Sequence, residues 1–475
     1  MRRFPWAVAA LAALAAPALL TGPAAAAGGQ PPAGSVLFEA DVLSVSCASG
    51  GNCGAGGYYL DQFGNEYAFV ASQRNGAWGN AAEVRGTDVR KSGSDARVTS
   101  VSCGSAGNCS AVGTYEDAAG IVQVFAVSEK NGTWGTAQEI PGTAAVNKGR
   151  QGAWIGSVSC GSAGSCAAGG SYTTAAGQAR PFTVTEVNGI WGQAAQVRGL
   201  ASAGGAVGSV SCASAGNCTA AGVDEASTGD GLFAVTQHNG AWGTAQAIRG
   251  ADTAPTVGIT SVSCGSAGNC GGAGVARGQA FLFSQNHGVV SRARAVPGLG
   301  ALGSDPYITS VSCPSAGNCA AGGYYVGAGI QALVLSEKRG TWGKAAEVPG
   351  SAALNKGGNA EIYALSCGSP GNCTAAGAYS TVNRHFQAFI VTENNGAWGA
   401  MEEVPGTRAL NYGKDAQVNS VSCASAGNCS AGGFYHSFRF AVCHQPFVVS
   451  ENNGIWGKAE QLPGTTIQSR CQPPA

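Results

Sequence analysis

Apolar positions along this chain fall in short runs separated by turn residues, and the whole pattern recurs. Over residues 98–142 four runs stand out: VTSVSC, CSAVGTY, QVFAVSE and TWGTAQEI. Each is rich in β-prone residues and ends in Gly, Ser or Asn, as strands bounded by turns do. No unit carries the i, i+3, i+4 apolar spacing of a helix. The unit returns eight times between residues 41 and 464, with first cysteines 49 to 57 residues apart. A period near 54 residues lies in the range of propeller blades. Four short strands per unit, arranged radially, predict an all-β, eight-bladed β-propeller with four antiparallel strands in each blade. A β-solenoid would have much shorter coils.

The most regular word is the cassette C-x-S-x-G-N-C. Its pairs are Cys47/Cys53, Cys103/Cys109, Cys160/Cys166, Cys212/Cys218, Cys264/Cys270, Cys313/Cys319, Cys367/Cys373 and Cys423/Cys429. The cassette joins the first predicted strand to the second. Facing residues of an antiparallel hairpin have Cα atoms about 4.5–5.5 Å apart, inside the window a disulfide tolerates. Each pair is therefore expected to staple its own hairpin. No cassette contains a histidine and no CxxC pair occurs, which argues against metal and redox chemistry there. Cys443 and Cys471 lie outside the cassettes and are expected to pair, pinning the C-terminus across the last blade.

A second word, Asn-Gly-x-Trp, follows the third run, as in Asn131-Gly132-Thr133-Trp134; repeat five departs to His287-Gly288-Val289-Val290. Asn-Gly between β runs predicts a tight hairpin, because both residues tolerate positive φ. Regular recurrence assigns the tryptophans to packing between blades rather than to a ligand. The pattern Ser128-x-x-Asn131-Gly132-x-Trp134 resembles the Asp-box turn of sialidase-like (BNR-type) propellers, with the Asp missing and the spacing one residue shorter. The cassette resembles cysteine-containing repeats of secreted actinobacterial proteins. These resemblances imply the fold. Sialidase activity would need an arginine cluster, a Tyr–Glu nucleophile pair and an acidic acid/base. The repeat frame offers no such set, so no catalytic residue is assigned.

Residues 1–27 read as a secretory signal: Arg2 and Arg3, then an Ala/Leu run broken by Pro17 and Pro23, then small residues at Ala25–Ala27. Residues 28–40 form a lead-in and 465–475 a tail. The expected location is extracellular. Removing the leader lowers Lys+Arg from 26 to 24 against 26 Asp+Glu, a net charge of −2. That excludes a general nucleic-acid or anionic-membrane partner, which needs a basic face. No cofactor and no metal is expected, and a monomer is.

Cassette turns and Asn-Gly turns are nearly uniform, so the face they share is scaffold. The opposite face carries loops that vary, and function is expected there, near the central channel. Its candidates are Asp61 in repeat one, Glu116 and Asp117 in repeat two, Arg384 and His385 in repeat seven, and Tyr435, His436, Arg439 and His444 in repeat eight. Arg and His interleaved with aromatics suit a sugar, an anionic glycan or a carboxylate. The same stretch also reads as ring-closure packing. His385, His436 and His444 lack a recognisable metal-ligand spacing. The expected function is non-enzymatic binding of carbohydrate or cell-envelope polymer. A sialidase-like glycoside hydrolase or lyase is the first alternative, and a structural or protein-interaction propeller the second.

Overall fold

The computed structural model describes residues 37–61, 63–87, 95–200, 204–225, 231–251, 257–412, 415–437 and 444–465. It is all-β, with eight sheets, each cut from one contiguous repeat. In blade one the strands are Leu37–Ser49, Asn52–Asp61 and Glu66–Arg74, followed by the short segments Ala77–Trp78 and Ala82–Glu83. Both short segments pair with the third strand, so the fourth strand of the blade comes in two pieces. The first strands of neighbouring blades touch around the ring, and blade eight (Ala416–Ser425 its first strand) packs against blade one. Among the described residues no helix is long and apolar enough to cross a membrane. The expected leader, residues 466–475 of the expected tail and the expected Cys443–Cys471 bridge lie outside the described residues.

The first strand explains the word S-V-S-C. A bulge interrupts it at Leu43 in blade one and at the corresponding residue of every other blade. The extra residue resets the two-residue alternation, so Val42 and Val45 both enter the core although they are three apart. The backbone kinks toward the second strand here, and a glycine stands opposite each time, as Gly57 and Gly113 do. A Cβ on these eight glycines would lie 1.8–2.2 Å from the carbonyl oxygen of the residue two before the bulge. That is the reason for the glycine four residues after each second cysteine.

Being innermost, the first strand has an unpaired edge, and its free N–H groups need acceptors. The two serines provide them across the blade boundary. Cys47 N donates to Ser422 Oγ at 2.9 Å, Cys103 N to Ser46 Oγ at 3.0 Å, and Cys160 N to Ser102 Oγ at 2.9 Å. The same bond joins every remaining pair of blades, so this belt is closed. A second belt runs through the preceding serine, from Val45 N to Ser420 Oγ and Val101 N to Ser44 Oγ onward. It lacks one member, because Ala364 occupies the serine position in blade seven. Ala364→Ser is expected to supply the acceptor facing Val421 and to raise stability by about 0.5–1.5 kcal/mol in denaturant unfolding.

All eight cassette pairs are bridged. Their Cα atoms are 3.9–4.0 Å apart, closer than hairpin geometry alone predicts. The cysteines face each other, and the first of each pair turns its N–H away to the serine belt, which makes them a non-hydrogen-bonded pair, the nearer of the two kinds. The bridges are also more than the local hairpin staples expected from the sequence. Their second cysteines are core residues: Cys53, Cys109, Cys218, Cys373 and Cys429 are only 3–5% exposed and belong to the apolar clusters between blades. The second strand is buried on both faces, so these sulfurs meet the neighbouring blade rather than solvent. Cys53 Sγ lies 3.4 Å from Ser430 Oγ of blade eight, and Cys429 Sγ 3.6 Å from Thr374 Oγ1 of blade seven.

Both central residues of the Asn-Gly turn have positive φ, 48° at Asn75 and 86° at Gly76. The tryptophans bridge blades: Trp134 Nε1 donates to Ser72 Oγ at 2.9 Å and Trp242 Nε1 to Thr185 Oγ1 at 3.1 Å. Unlike the purely β pattern of the sequence, three of the described connections between blades hold one α-helical turn each, Thr143–Val146, Ser351–Leu354 and Thr407–Leu410, and a fourth holds a 3-10 turn, Leu299–Ala301. Four residues are too few for helical periodicity to register. Each α-helical turn ends in a buried asparagine (Asn147, Asn355, Asn411) that donates to the third strand of the preceding blade.

Candidate functional site

Within the repeated first strand, two columns refuse to repeat. The bulge column reads Leu43, Thr99, Gly156, Gly208, Thr260, Thr309, Tyr363 and Asn419, and all eight line one cavity of about 600 Å³ on the axis of the ring. The column two residues earlier reads Asp41, Arg97, Trp154, Ala206, Gly258, Tyr307, Glu361 and Gln417. Arg97, Trp154 and Tyr307 of this column also line the cavity, with Glu66, Asp95 and Gln151 at its mouth. These residues belong to the ends of strands on the variable-loop face, where the sequence places the site.

The cavity has two chemically distinct walls. Trp154, Tyr307 and Tyr363 make the aromatic one. The indole of Trp154 lies over Gly156, where a Cβ would come within 2.1 Å of the ring. Tyr307 stacks on Tyr324 with centroids 5.5 Å apart. Among the described residues, blades four and five, between Trp154 and Tyr307, line it with the small Gly208 and Thr260 alone, which leaves a recess flanked by aromatics.

The other wall is ionic. Arg97 Nε and Nη2 bind the two carboxylate oxygens of Glu66 at 2.6 and 2.5 Å, joining blade two to blade one. The guanidinium lies 5.0 Å over the ring of Tyr58. Burial opposes its charge, but Glu66 prevails and holds Arg97 above its ordinary value. Tyr58 donates to Asp41 Oδ2 at 3.0 Å and reaches Glu39 Oε1 at 3.3 Å. Burial and these acids push its hydroxyl well above the usual phenol range. The chain of contacts continues into blade eight, where His444 Nδ1 lies 3.1 Å from both Glu39 Oε1 and Asp41 Oδ1. Burial disfavours charge on His444, but the hydrogen bonds to Asp41 and Glu39 outweigh it and hold the group up at about 9. His436, stacked on His444 at 4.5 Å, is driven down to about 4 by burial and by the charge on His444, with Asp415 opposing at 3.7 Å.

The sequence candidates divide accordingly. His436 and His444 come together as directly facing residues of the second and third strands of blade eight. Tyr435, next to His436 and facing Gln445, turns into the core and is buried. Arg384 sits exposed in a tight turn at φ 61°, with His385 half-buried beside it. Asp61 accepts the N–H groups of Phe63 and Asn65, and Asp117 those of Ala119 and Ile121. Both aspartates therefore close the loop between second and third strands. Glu116 is the last residue of the strand before Asp117, and Arg439 lies outside the described residues. The buried cysteines Cys53, Cys109, Cys218, Cys373 and Cys429 take no part in the site. They are absent from the lining of the axial cavity, and their bridges hold the blades that form its walls. Tyr–Glu pairs do occur, Tyr59–Glu83, Tyr115–Glu139, Tyr325–Glu347 and Tyr379–Glu403, at equivalent places in four blades. Their repetition marks them as blade architecture.

Sequence reasoning missed Arg97, Trp154, Tyr307 and Tyr363. The signal was present: aligned on S-V-S-C, the eight first strands differ most at these two columns. No protein-family profile matches the sequence, and no curated protein matches it. Among solved structures, the chain is similar to Chaetomium thermophilum Sqt1 bound to the N-terminus of the ribosomal protein L10, at 12% identity over 90% of this chain and 97% of that one, TM-score 0.44. It is similar to a polysaccharide lyase of the PL25 ulvan lyase family, at 9% identity over 90% and 96%, TM-score 0.43. It is also similar to a Hadza microbial sialidase, at 8% identity over 77% and 66%, TM-score 0.39. These likenesses assign neither an activity nor a partner.

Proposed function

We propose that the protein is an extracellular binding module whose channel mouth, on the variable-loop face, receives a carbohydrate or cell-envelope polymer without cleaving it. The observation that carries this reading is the coincidence of variation and cavity. Of the two columns that differ among otherwise repeated strands, one lines the 600 Å³ space in all eight blades and the other lines it through Arg97, Trp154 and Tyr307. A recess walled by Trp154, Tyr307 and Tyr363 suits the apolar face of a sugar ring, while Thr99, Thr309 and Asn419 of the bulge column donate to backbone carbonyls and stiffen the strands beneath it. Both oxygens of Glu66 are committed to Arg97, which suits a fixed polar contact better than a proton donor. Eight disulfides fit an oxidising, extracellular setting. The test is incubation of the oxidised protein with soluble and insoluble polysaccharides, including peptidoglycan, recording retention and released reducing ends together. Retention without release is expected. Release would make the protein a hydrolase or lyase.

A further inference from the structure

The seam between the last and first blades differs from the other seven. Each blade is built from one repeat, and the chain itself passes from blade to blade across the other seams. Among the described residues this closure is held by non-covalent contacts, such as the belt bonds and Ala81 N donating to Pro463 O at 2.7 Å. At the mouth of the seam, the first residue of the third strand of blade eight, His444, faces Glu39 and Asp41 on the first strand of blade one. The equivalent position holds Glu66 against Arg97 at the next seam, and Val122, Ile330 and Phe386 in blades two, six and seven. Among the described residues, only here does it join an imidazole to two carboxylates.

We propose that Glu39, Asp41 and His444 form a binding site for a divalent transition-metal ion of the zinc class, which clips the ring shut. Three donor atoms from the two blades, His444 Nδ1, Glu39 Oε1 and Asp41 Oδ1, converge. The nitrogen is 3.1 Å from each oxygen, and all three lie within 4.8 Å of one another. Ligands about 2.0–2.2 Å from a zinc ion stand roughly 3–3.5 Å apart, so the two measured edges fit a coordination polyhedron. One imidazole with two carboxylates is a donor set for zinc and its first-row neighbours, whereas calcium and magnesium favour oxygen alone.

The surroundings pre-organise the donors. His444 is stacked against Phe434 at 4.0 Å and His436 at 4.5 Å. Stacking fixes the ring plane, and the in-plane Nδ1 lone pair then points at the carboxylates. Tyr58 holds Asp41 through the other oxygen, Oδ2, at 3.0 Å, an outer contact of the kind that orients metal ligands. Two carboxylates and a neutral imidazole balance the charge of one divalent ion. When no metal is bound, a proton on His444 meets the same two acids.

The test uses the full oxidised protein, stripped with chelator and titrated with zinc chloride in a calorimeter, and with cobalt chloride followed by visible absorption. One ion per chain is expected, with a rise in unfolding temperature and a low-coordinate cobalt spectrum. His444→Ala should weaken binding at least a hundredfold and abolish the thermal shift. His238→Ala, at an exposed histidine of blade four, should change neither. If His444→Ala lowers the yield of folded protein, Glu39→Gln, on the more exposed ligand, serves in its place. Absence of one-to-one binding, or binding that survives both ligand variants, overturns the proposal. The polysaccharide test reads the lining of the axial cavity, which includes none of the three ligands, so the two readings fail independently.

Discussion

Replacing Glu129, Glu393 and Glu451 together by glutamine is expected to stabilise the protein at neutral pH. These residues occupy one column of the third strand, buried at the seams between blades. The column reads Gln73, Glu129, Glu186, Gln237, Gln285, Glu337, Glu393 and Glu451. Where it is glutamine, Nε2 donates twice. Gln73 reaches Gly76 O in its own hairpin at 3.2 Å and Ser450 Oγ across the seam at 2.9 Å; Gln237 and Gln285 do the same with their own hairpins and neighbours. Where it is Glu129 or Glu393, Oε1 accepts from Ser72 or Ser336, and Oε2 is buried with no hydrogen-bond partner; Oε2 of Glu451 is left the same way. An ionised oxygen has nothing to accept from a hairpin carbonyl.

Burial raises the carboxyls of Glu129, Glu337, Glu393 and Glu451 above their ordinary value. Arg74 near Glu129 and Lys338 near Glu393 oppose the rise without reversing it. A raised acid binds a proton more tightly in the native state than in the unfolded chain. Native stability therefore falls as pH climbs from the ordinary carboxyl value through the raised one, and the loss is complete above it. Each glutamine should recover about 1–3 kcal/mol at pH 7.5 and little at pH 4, and the sites lie in separate seams, so the gains should add. Guanidinium unfolding of wild type and triple variant at the two pH values checks this. Glu186 is the internal control. Its two oxygens accept from Ser128 and Ser110, both at 2.7 Å, so Glu186→Gln should bring no gain.

The serine belts give the second large effect, in the opposite direction. Ser102→Ala removes the acceptor of Cys160 N and leaves an inward N–H of the innermost strand without a partner. A buried donor left unpaired costs about 1–3 kcal/mol, well above the net worth of one ordinary hydrogen bond. Two such changes at distant blades, Ser102→Ala with Ser312→Ala, should cost roughly twice one, since Ser312 serves Cys367 on the other side of the ring. Equal unfolding midpoints for wild type and double variant would show that solvent in the channel satisfies these groups.

The architecture was legible because the chain repeats it. Eight copies of cassette and Asn-Gly turn expose strand count, hairpins and disulfides at once. The pairing of Cys53 or Cys429 could be read from its spacing; its burial against the next blade could not, because Ser430 and Thr374 belong to other repeats. The serines of S-V-S-C were likewise legible as strand residues but not as acceptors, since their partners lie a full repeat away. The bulge was written in the spacing of Val42 and Val45, three apart where a regular strand needs two or four. The site was harder. Variation in loops is conspicuous, whereas variation at two positions inside a uniform strand shows only when the repeats are aligned on the cassette. The candidates Asp61 and Asp117 have the composition of ligand groups, yet their carboxylates fold their own loops. The partners of His444 could not be read at all: Glu39 and Asp41 stand some 400 residues away, and only closure of the ring makes them neighbours.

The decisive measurement is the affinity of the wild type and of Trp154→Ala/Tyr363→Ala for whichever polysaccharide retains the protein. These side chains supply the aromatic wall, and they lie apart from the serine belts and the seam glutamates. Affinity at least tenfold weaker in the double variant is expected, with the unfolding midpoint little changed. Undiminished affinity in a folded double variant would move the binding surface away from the channel.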